Sequence, residues 1–193
     1  SNVFYNLTSA NTNEELQAIA KEVSPLLTTH YDNVLLNAKL FQRIKAVYDH
    51  KAQLSLTTEQ STLLDKTYKQ FARGGANLPE VKQAELREIN KELSMLSLQF
   101  GDNMLAETNA FKLIIDNEDD LAGLPLFVRD AAAAAAKEDS LDGKWLITLH
   151  SPSRIPFLQF SNRRELREKV LKAYINRGDN NNQYDNKKIA SKM

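Results

Sequence analysis

Three histidines, His30, His50 and His150, are the residues of this sequence best suited to holding a catalytic metal. A hydrolytic zinc site needs at least three protein ligands, and one helix supplies two of them only at a spacing such as His-Glu-x-x-His. None of the three histidines has a histidine or glutamate partner at that spacing. Each is therefore interpreted as a surface or core residue, and no metal ligand is predicted.

A glycine pair and two serine positions could support phosphate binding or nucleophilic chemistry. A phosphate-binding loop requires a lysine and a hydroxyl residue after its glycines, and Gly74-Gly75 is followed by neither. A serine nucleophile on a strand-to-helix elbow is flanked by glycines, whereas Ser151 and Ser153 are flanked by proline, arginine and histidine. The glycine pair is predicted to end a helix, and Ser151 and Ser161 are predicted to be helix caps.

Two charged clusters could bind ions. The acidic segment Asp116–Asp120 lacks the alternating spacing and terminal glutamate of a calcium-binding hand, so an exposed loop or helix cap is predicted. The segment Arg163–Glu168 could bind a carboxylate through three arginines, but two glutamates stand among them, which is typical of a solvated helix face. The residues alone therefore predict no catalytic, cofactor-binding or metal site.

Composition narrows the classes of partner. The 193 residues include 25 basic and 25 acidic side chains, and this balance provides no electrostatic footprint for nucleic acid or an anionic membrane. No apolar run is long enough for a membrane span. The absence of cysteine excludes disulfides and thiol chemistry and fits a reducing compartment. We expect a cytoplasmic protein, with the periplasm as the alternative.

One long helix organises the predicted fold. It extends from Leu78 to Glu107 with Pro79 at its first position, where a missing N–H is tolerated. Apolar side chains recur at steps of three and four residues and form one stripe, which comprises Leu86, Ile89, Leu93, Leu96, Phe100 and Met104. The stripe predicts a mainly α-helical array packed around this helix, and half of a coiled coil is the alternative.

Shorter helices are predicted before the long one. Asn11 or Thr12 is expected to cap the first, and Ser24-Pro25 to end or bend it and to begin a second helix that continues to about Lys51. The segment Thr57–Gln60 matches a capping box at the start of a third helix. Gly74-Gly75 ends that helix, because glycine enters the left-handed region without strain.

The pattern changes after residue 109. Residues 111–115 and 144–149 are short, rich in branched residues and nearly alternating, so they are predicted to be two paired strands. A helix is predicted between them, from Pro125 to about Glu138. Its six alanines, Ala131 to Ala136, favour a helix, and a close approach of another backbone is the alternative explanation for them.

The predicted organisation is a single segment, residues 1–193. It has helices over 3–109, a strand-helix-strand region over 110–150, and helices over 151–193. A polar loop at Asp179–Gln183 precedes a last helix that begins near Tyr184. That helix has no C-cap, which predicts a chain cut inside a larger protein, with a frayed terminus as the alternative.

Several motifs, in chain order, carry a resemblance to a known family. They are Asn37–Phe41, Arg73–Leu78, Leu121–Pro125, Gly143–Leu149, Ser151–Pro156, Arg163–Glu168, Ala173–Gly178 and Asp185-Asn186. Together they resemble the thimet-oligopeptidase family of zinc metallopeptidases, most closely its bacterial peptidyl-dipeptidase (dipeptidyl carboxypeptidase) branch. The resemblance extends over nearly the whole chain.

The resemblance implies that this chain is the N-terminal, mostly helical portion of a longer peptidase. In that family the helical portion forms one wall of a deep channel for short peptides and faces the catalytic half of the same polypeptide. The zinc is held there by a His-Glu-x-x-His motif and a later glutamate. None of those positions exists in this sequence, so the segment alone is expected to be inactive. Trp145 is expected to anchor a core, Gly123 and Gly178 to form turns, and the arginines to form ion pairs.

The alternative hypothesis is a free-standing α-helical interaction module with no enzymatic activity. The two hypotheses predict different surfaces. A portion of a larger enzyme exposes apolar surface where the remainder packs, whereas a self-contained module exposes scattered apolar residues.

Overall fold

The computed structural model describes residues 2–193 and confirms a mainly α-helical fold. Two strands, β1 (Leu113–Ile115) and β2 (Trp145–Ile147), form one small sheet. The helices of the described residues are α1 (Asn2–Ala10), α2 (Glu14–Leu35), α3 (Ala38–Asp49), α4 (Thr58–Arg73), α5 (Glu80–Ala110), α6 (Leu126–Glu138), α7 (Ser151–Phe160), α8 (Arg164–Ile175) and α9 (Lys187–Ala190). The chain divides into two compact units, one up to Leu98 and one from Gln99 onward.

In the first unit, Ser24-Pro25 was predicted to end or bend a helix and to begin a second one, but a single helix, α2, continues through it. The prediction was wrong because a proline removes one backbone hydrogen bond without necessarily ending a helix, and the Thr29 hydroxyl donates to the Pro25 carbonyl at 2.8 Å. The chain turns instead at Asn37, whose side chain accepts the Leu40 N–H and caps α3. The N-cap of α2 is Asn13, not Asn11 or Thr12.

Aromatic packing joins α3 to α4. Phe41 and Phe71 are buried, with ring centroids 6.4 Å apart, and Tyr68 stacks between α3 side chains at 5.8 Å from Phe41 and 3.9 Å from Tyr48. The predicted capping box at Thr57 is confirmed, since its hydroxyl accepts the Gln60 N–H and the Gln60 side chain accepts the Thr57 N–H. Stacked rings thus supply the core of this unit.

The long helix α5 is confirmed, but its apolar stripe is less covered than predicted. Ile89 is 59% exposed and Leu93 is 37% exposed. Polar contacts fasten this part of α5 to α2, because Asn90 donates to the buried Asp32 carboxylate at 2.8 Å. The buried residues that α5 does contribute are Glu107 and Thr108, near its C-terminal end.

In the second unit, the two predicted strands pair antiparallel, with Leu113 opposite Ile147 and Ile115 opposite Trp145. They are shorter than predicted. α6 packs on β2 through its buried face, and Pro125 stands at the N-cap of α6. The buried core of the sheet, α6, α7 and α8 comprises Leu113, Ile115, Leu121, Leu124, Val128, Ala132, Ile147, Leu149, Phe157 and Val170.

Helix α7 begins at Ser151 and continues through two prolines. Ser151 lies inside α7 and His150 is the N-cap, so the prediction of Ser151 as a cap was wrong. Pro152 is tolerated in the first turn, and Pro156 stands inside the helix beside Phe157, which is fully buried. Burial of that ring stabilises a helix that local propensity disfavours.

No helix of residues 2–193 combines the length and apolar character that crossing a membrane requires.

Two glycines give a matched prediction for stability. Gly123 has a φ of +87°, and a Cβ added there would collide with the Phe160 carbonyl oxygen. We expect Gly123→Ala to lower the free energy of unfolding by about 1–3 kcal/mol. Gly101 lies inside α5, where an added Cβ would meet nothing within 4 Å. Gly101→Ala should therefore raise the free energy of unfolding by about 0.5–1 kcal/mol. Urea denaturation measures both, and equal effects of the two substitutions would contradict the structure.

Candidate functional site

The histidines do not form a metal site. His30, His50 and His150 are all exposed, and the His50 ring lies 2.8 Å from the Ala46 carbonyl oxygen of its own helix. Over residues 2–193, no three side chains of histidine, aspartate or glutamate lie close enough together to hold a metal ion. The donor set present here therefore does not fit the zinc that the resemblance implies.

The acidic segment Asp116–Asp120 acts as a cap and a source of ion pairs. The Asn117 side chain accepts the Asp119 N–H at the start of a short 3₁₀ turn. Asp116 pairs with Lys144 at 2.7 Å and Asp120 pairs with Arg163 at 3.0 Å. Its carboxylates are thus directed to different partners, and the predicted helix cap is confirmed.

The glycine, serine and tryptophan residues singled out in the sequence have structural roles. Gly75 has a φ of +97° directly after α4, which confirms the predicted helix stop. The Ser153 hydroxyl oxygen accepts the Thr148 N–H at 3.0 Å, and the Ser161 hydroxyl oxygen accepts the Arg163 N–H at 3.1 Å. Trp145 is partly buried against the core of the second unit, in line with its predicted anchoring role.

The arginines differ in their partners. Arg163 also pairs with Glu165 at 3.0 Å, which agrees with the ion-pair role expected of this segment. Arg167 instead donates to the Ser161 carbonyl oxygen. The segment therefore connects the end of α7 to the start of α8.

Sequence reasoning missed the most constrained polar group of the second unit, the Glu107 carboxylate. Only 8% of Glu107 is exposed. One of its oxygens, Oε2, accepts the Gly178 N–H, and the other, Oε1, accepts from the Asn180 and Asn182 side-chain amides at 2.8 and 2.7 Å. We call these four residues the Glu107 network. It fastens the polar loop after α8 to the C-terminal end of α5.

Neighbouring contacts reinforce the Glu107 network. Arg177 donates to the Thr108 hydroxyl oxygen at 2.7 Å, and Asn103 donates to the Asn186 side-chain oxygen at 2.9 Å. The Asn186 amide in turn donates to the Phe100 carbonyl oxygen at 3.1 Å. These contacts repeat along α5, so they determine the position of the loop at several points.

A lysine supplies the positive charge for the same loop. The Lys187 ammonium lies 2.7 Å from an oxygen of Asp179, 2.7 Å from the Asn181 side-chain oxygen and 3.0 Å from an oxygen of Asp185. A run of asparagine and aspartate can hold a cation through such oxygens. Here the chain provides the cation itself.

The Glu107 network is suited to holding structure rather than to proton transfer. Burial alone would raise the pKa of Glu107, but the hydrogen bonds from the Gly178 N–H and from the Asn180 and Asn182 amides outweigh burial and lower it. The carboxylate is therefore ionised at neutral pH, and both oxygens already accept hydrogen bonds. A general base needs an oxygen free to take the substrate proton.

The second unit also contains an apolar cleft of about 280 Å³ beside the exposed side of α6. We call it the α6 cleft. Its lining is formed by Phe127, Ala131 and Ala135 of α6, Leu146 of β2, and Pro152 and Pro156 of α7, together with their neighbours. No lysine, arginine, aspartate or glutamate lines it. The cleft is suited to apolar contact.

Removing the charge of Glu107 tests the Glu107 network. In Glu107→Gln an amide group would face donors that require an acceptor, so we expect the free energy of unfolding to fall by about 1–3 kcal/mol at pH 7. Glu168→Gln is the matched control, because Glu168 forms an exposed pair with Lys172 and should matter little. Urea denaturation of the three proteins measures the difference, and equal stability of both variants would contradict the role of the Glu107 network.

The lowered pKa of Glu107 predicts a dependence on pH. A group whose pKa is lower in the folded state stabilises the fold above its unfolded pKa, about 4.3 for glutamate, and that stability is lost as the pH falls through the folded pKa. The free energy of unfolding should therefore drop below about pH 4.3, and more steeply in the unsubstituted chain than in Glu107→Gln. Parallel pH profiles for the two proteins would contradict this assignment.

Comparison with known proteins shows that the chain is similar to several peptidases. It is 32% identical over 193 residues to the dipeptidyl carboxypeptidase of Escherichia coli (strain K12), a match that includes 100% of this chain and 28% of that protein. It is 30% identical over 191 residues to oligopeptidase A of the same organism, covering 97% of this chain and 28% of that protein. A probable cytosolic oligopeptidase A of Arabidopsis thaliana is 31% identical over 169 residues, covering 84% of this chain and 24% of that protein. No protein-family model matches the sequence.

The chain spans about a quarter of the length of the relatives it matches. The match extends over 100% of the chain, so the aligned region includes the positions of all the motifs that carried the resemblance. The chain is therefore homologous, along its whole length, to one segment of the thimet-oligopeptidase-like peptidases.

Proposed function

We propose that the chain is the non-catalytic N-terminal portion of a zinc metallopeptidase of the peptidyl-dipeptidase or oligopeptidase type, and that it forms one wall of the channel for short peptides. The observation that carries this proposal is the partial match, in which the whole chain aligns with only 28% of a dipeptidyl carboxypeptidase. Residues for chemistry would then belong to the other part of the polypeptide. The expected partner is that catalytic part, in the cytoplasm.

The side-chain chemistry of the chain supports a structural role. The sequence contains no His-Glu-x-x-His motif, and such a motif is the usual source of two zinc ligands and a general base in peptidases of this kind. Glu107, the buried carboxylate of the second unit, has its oxygens occupied by the loop donors. We infer that the zinc ligands of the whole enzyme lie outside these 193 residues.

Exposed apolar side chains of the second unit support contact with another part of a protein. Leu126 is 72% exposed, Phe127 is 62% exposed and Ile155 is 52% exposed. Large apolar side chains exposed near one another mark sites of protein contact. This surface favours a portion of a larger enzyme over a self-contained module.

An assay on the chain alone tests the proposal. We expect the purified 193-residue chain, supplied with zinc, to leave a short fluorogenic peptide uncleaved, because it provides no set of zinc ligands. Escherichia coli dipeptidyl carboxypeptidase assayed in parallel is the positive control. Peptide cleavage that a chelator abolishes, retained after a further purification step, would contradict the proposal.

The reading frame around the chain provides a second test. We expect it to encode, beyond Met193, a polypeptide that contains His-Glu-x-x-His. A frame with no peptidase sequence outside the chain would favour the free-standing interaction module.

A further inference from the structure

Helix α6 exposes apolar residues directly beside its buried side. Val128, Ala132 and Ala136 are buried in the second unit, whereas Phe127 and Ala131, on the adjoining strip of the helix surface, are exposed. Arg129 and Asp130 are charged, and no further charge follows until Lys137 and Glu138 at the end of the helix. The apolar part of α6 is thus wider than the face that the second unit buries, and exposed apolar surface of this kind marks a site of contact. The exposed side of α6 is therefore suited to being covered.

The shape of the α6 cleft indicates what could cover it. Ala131 and Ala135 line the cleft one helical turn apart, and each side chain is a single methyl group. Another backbone can therefore approach α6 closely there. Phe127 forms one wall and is held by an edge-to-face contact with Phe160 at 6.4 Å between ring centroids. Pro152 and Pro156 of α7 also line the cleft and contribute apolar rings. A cleft with small side chains along α6 and larger apolar side chains around them fits the side chains of an apolar helix.

The charge and size of the α6 cleft restrict its occupant further. His150 is the one titratable residue among those that line it, so a charged segment would lose hydration without gaining a partner. Its volume of about 280 Å³ holds only a few side chains. A helix that presents small and medium-sized apolar residues meets both conditions.

We propose that the α6 cleft binds an apolar helix from the part of the peptidase polypeptide that lies outside this chain. This inference rests on the proposed function. The length of the relatives indicates this occupant. The matched segment is only 28% of the dipeptidyl carboxypeptidase, so most of that polypeptide lies outside the segment and could provide the helix. Cover of the cleft would remove Phe127 and Ala131 from water and so stabilise the contact between the two parts.

Two alanines of α6 allow a matched test. Ala131 and Ala133 are both exposed, but Ala131 lines the α6 cleft and Ala133 does not. Glutamate is a good helix former, so Ala131→Glu and Ala133→Glu should both fold in the 193-residue chain with unchanged circular dichroism. In the full-length polypeptide, Ala131→Glu would place an unpaired charge against the apolar helix.

Hydrogen exchange of the α6 backbone amides measures whether another segment covers the α6 cleft. We expect the backbone amides of α6 to exchange at least about tenfold more slowly in the full-length polypeptide than in the 193-residue chain. Ala131→Glu should remove most of that difference, whereas Ala133→Glu should preserve it. Equal exchange in the two lengths of chain, or equal effects of the two substitutions, would overturn the proposal.

Two other outcomes separate this inference from the proposed function. If the 193-residue chain forms a dimer that Ala131→Glu dissociates and Ala133→Glu does not, the occupant is a second copy and the proposal is wrong. Sedimentation velocity detects that dimer. If a full-length zinc peptidase exists but leaves α6 unprotected, only the α6 cleft proposal fails. If no longer peptidase exists, the proposed function itself fails, and this inference fails with it.

Discussion

The buried Glu107 carboxylate is the interaction on which the second unit most depends. An ionised carboxylate removed from water is costly unless hydrogen bonds replace its hydration. Three N–H groups do so, from Gly178, Asn180 and Asn182. The loop after α8 is consequently held to a residue 71 positions earlier in the sequence. Without that contact, an asparagine-rich segment with few apolar residues would have little reason to adopt one conformation.

The same loop contains motifs through which the chain resembles its relatives. Arg177 and Gly178 end one such motif, and Asn186 belongs to the next. The structure places all three around the end of α5, where Arg177 meets Thr108 and Asn186 meets Phe100 and Asn103. These residues hold the loop in place through their contacts with α5. Such contacts support the proposal that this chain contributes shape to a longer peptidase.

Local signals in the sequence were sufficient for much of the fold. The capping box at Thr57 and the stop at Gly75 depend on residues within a few positions, and both were predicted. The paired strands were also predicted, from their branched residues and length. The signal at Pro25 misled, because a second helix was predicted to begin there and α2 instead continues through it. The Glu107 network could not be predicted, since nothing near Glu107 in the sequence distinguishes it from the solvated glutamates of α5.

If this chain supplies structure while other residues of a longer enzyme hold the metal, the chain alone does not bind zinc tightly. Zinc titration by calorimetry, with metal analysis of the dialysed protein, tests this most directly. We expect no tight binding and far less than one zinc ion per chain after dialysis. One zinc ion per chain that survives dialysis, and is lost on substitution of His30, His50 or His150, would contradict it.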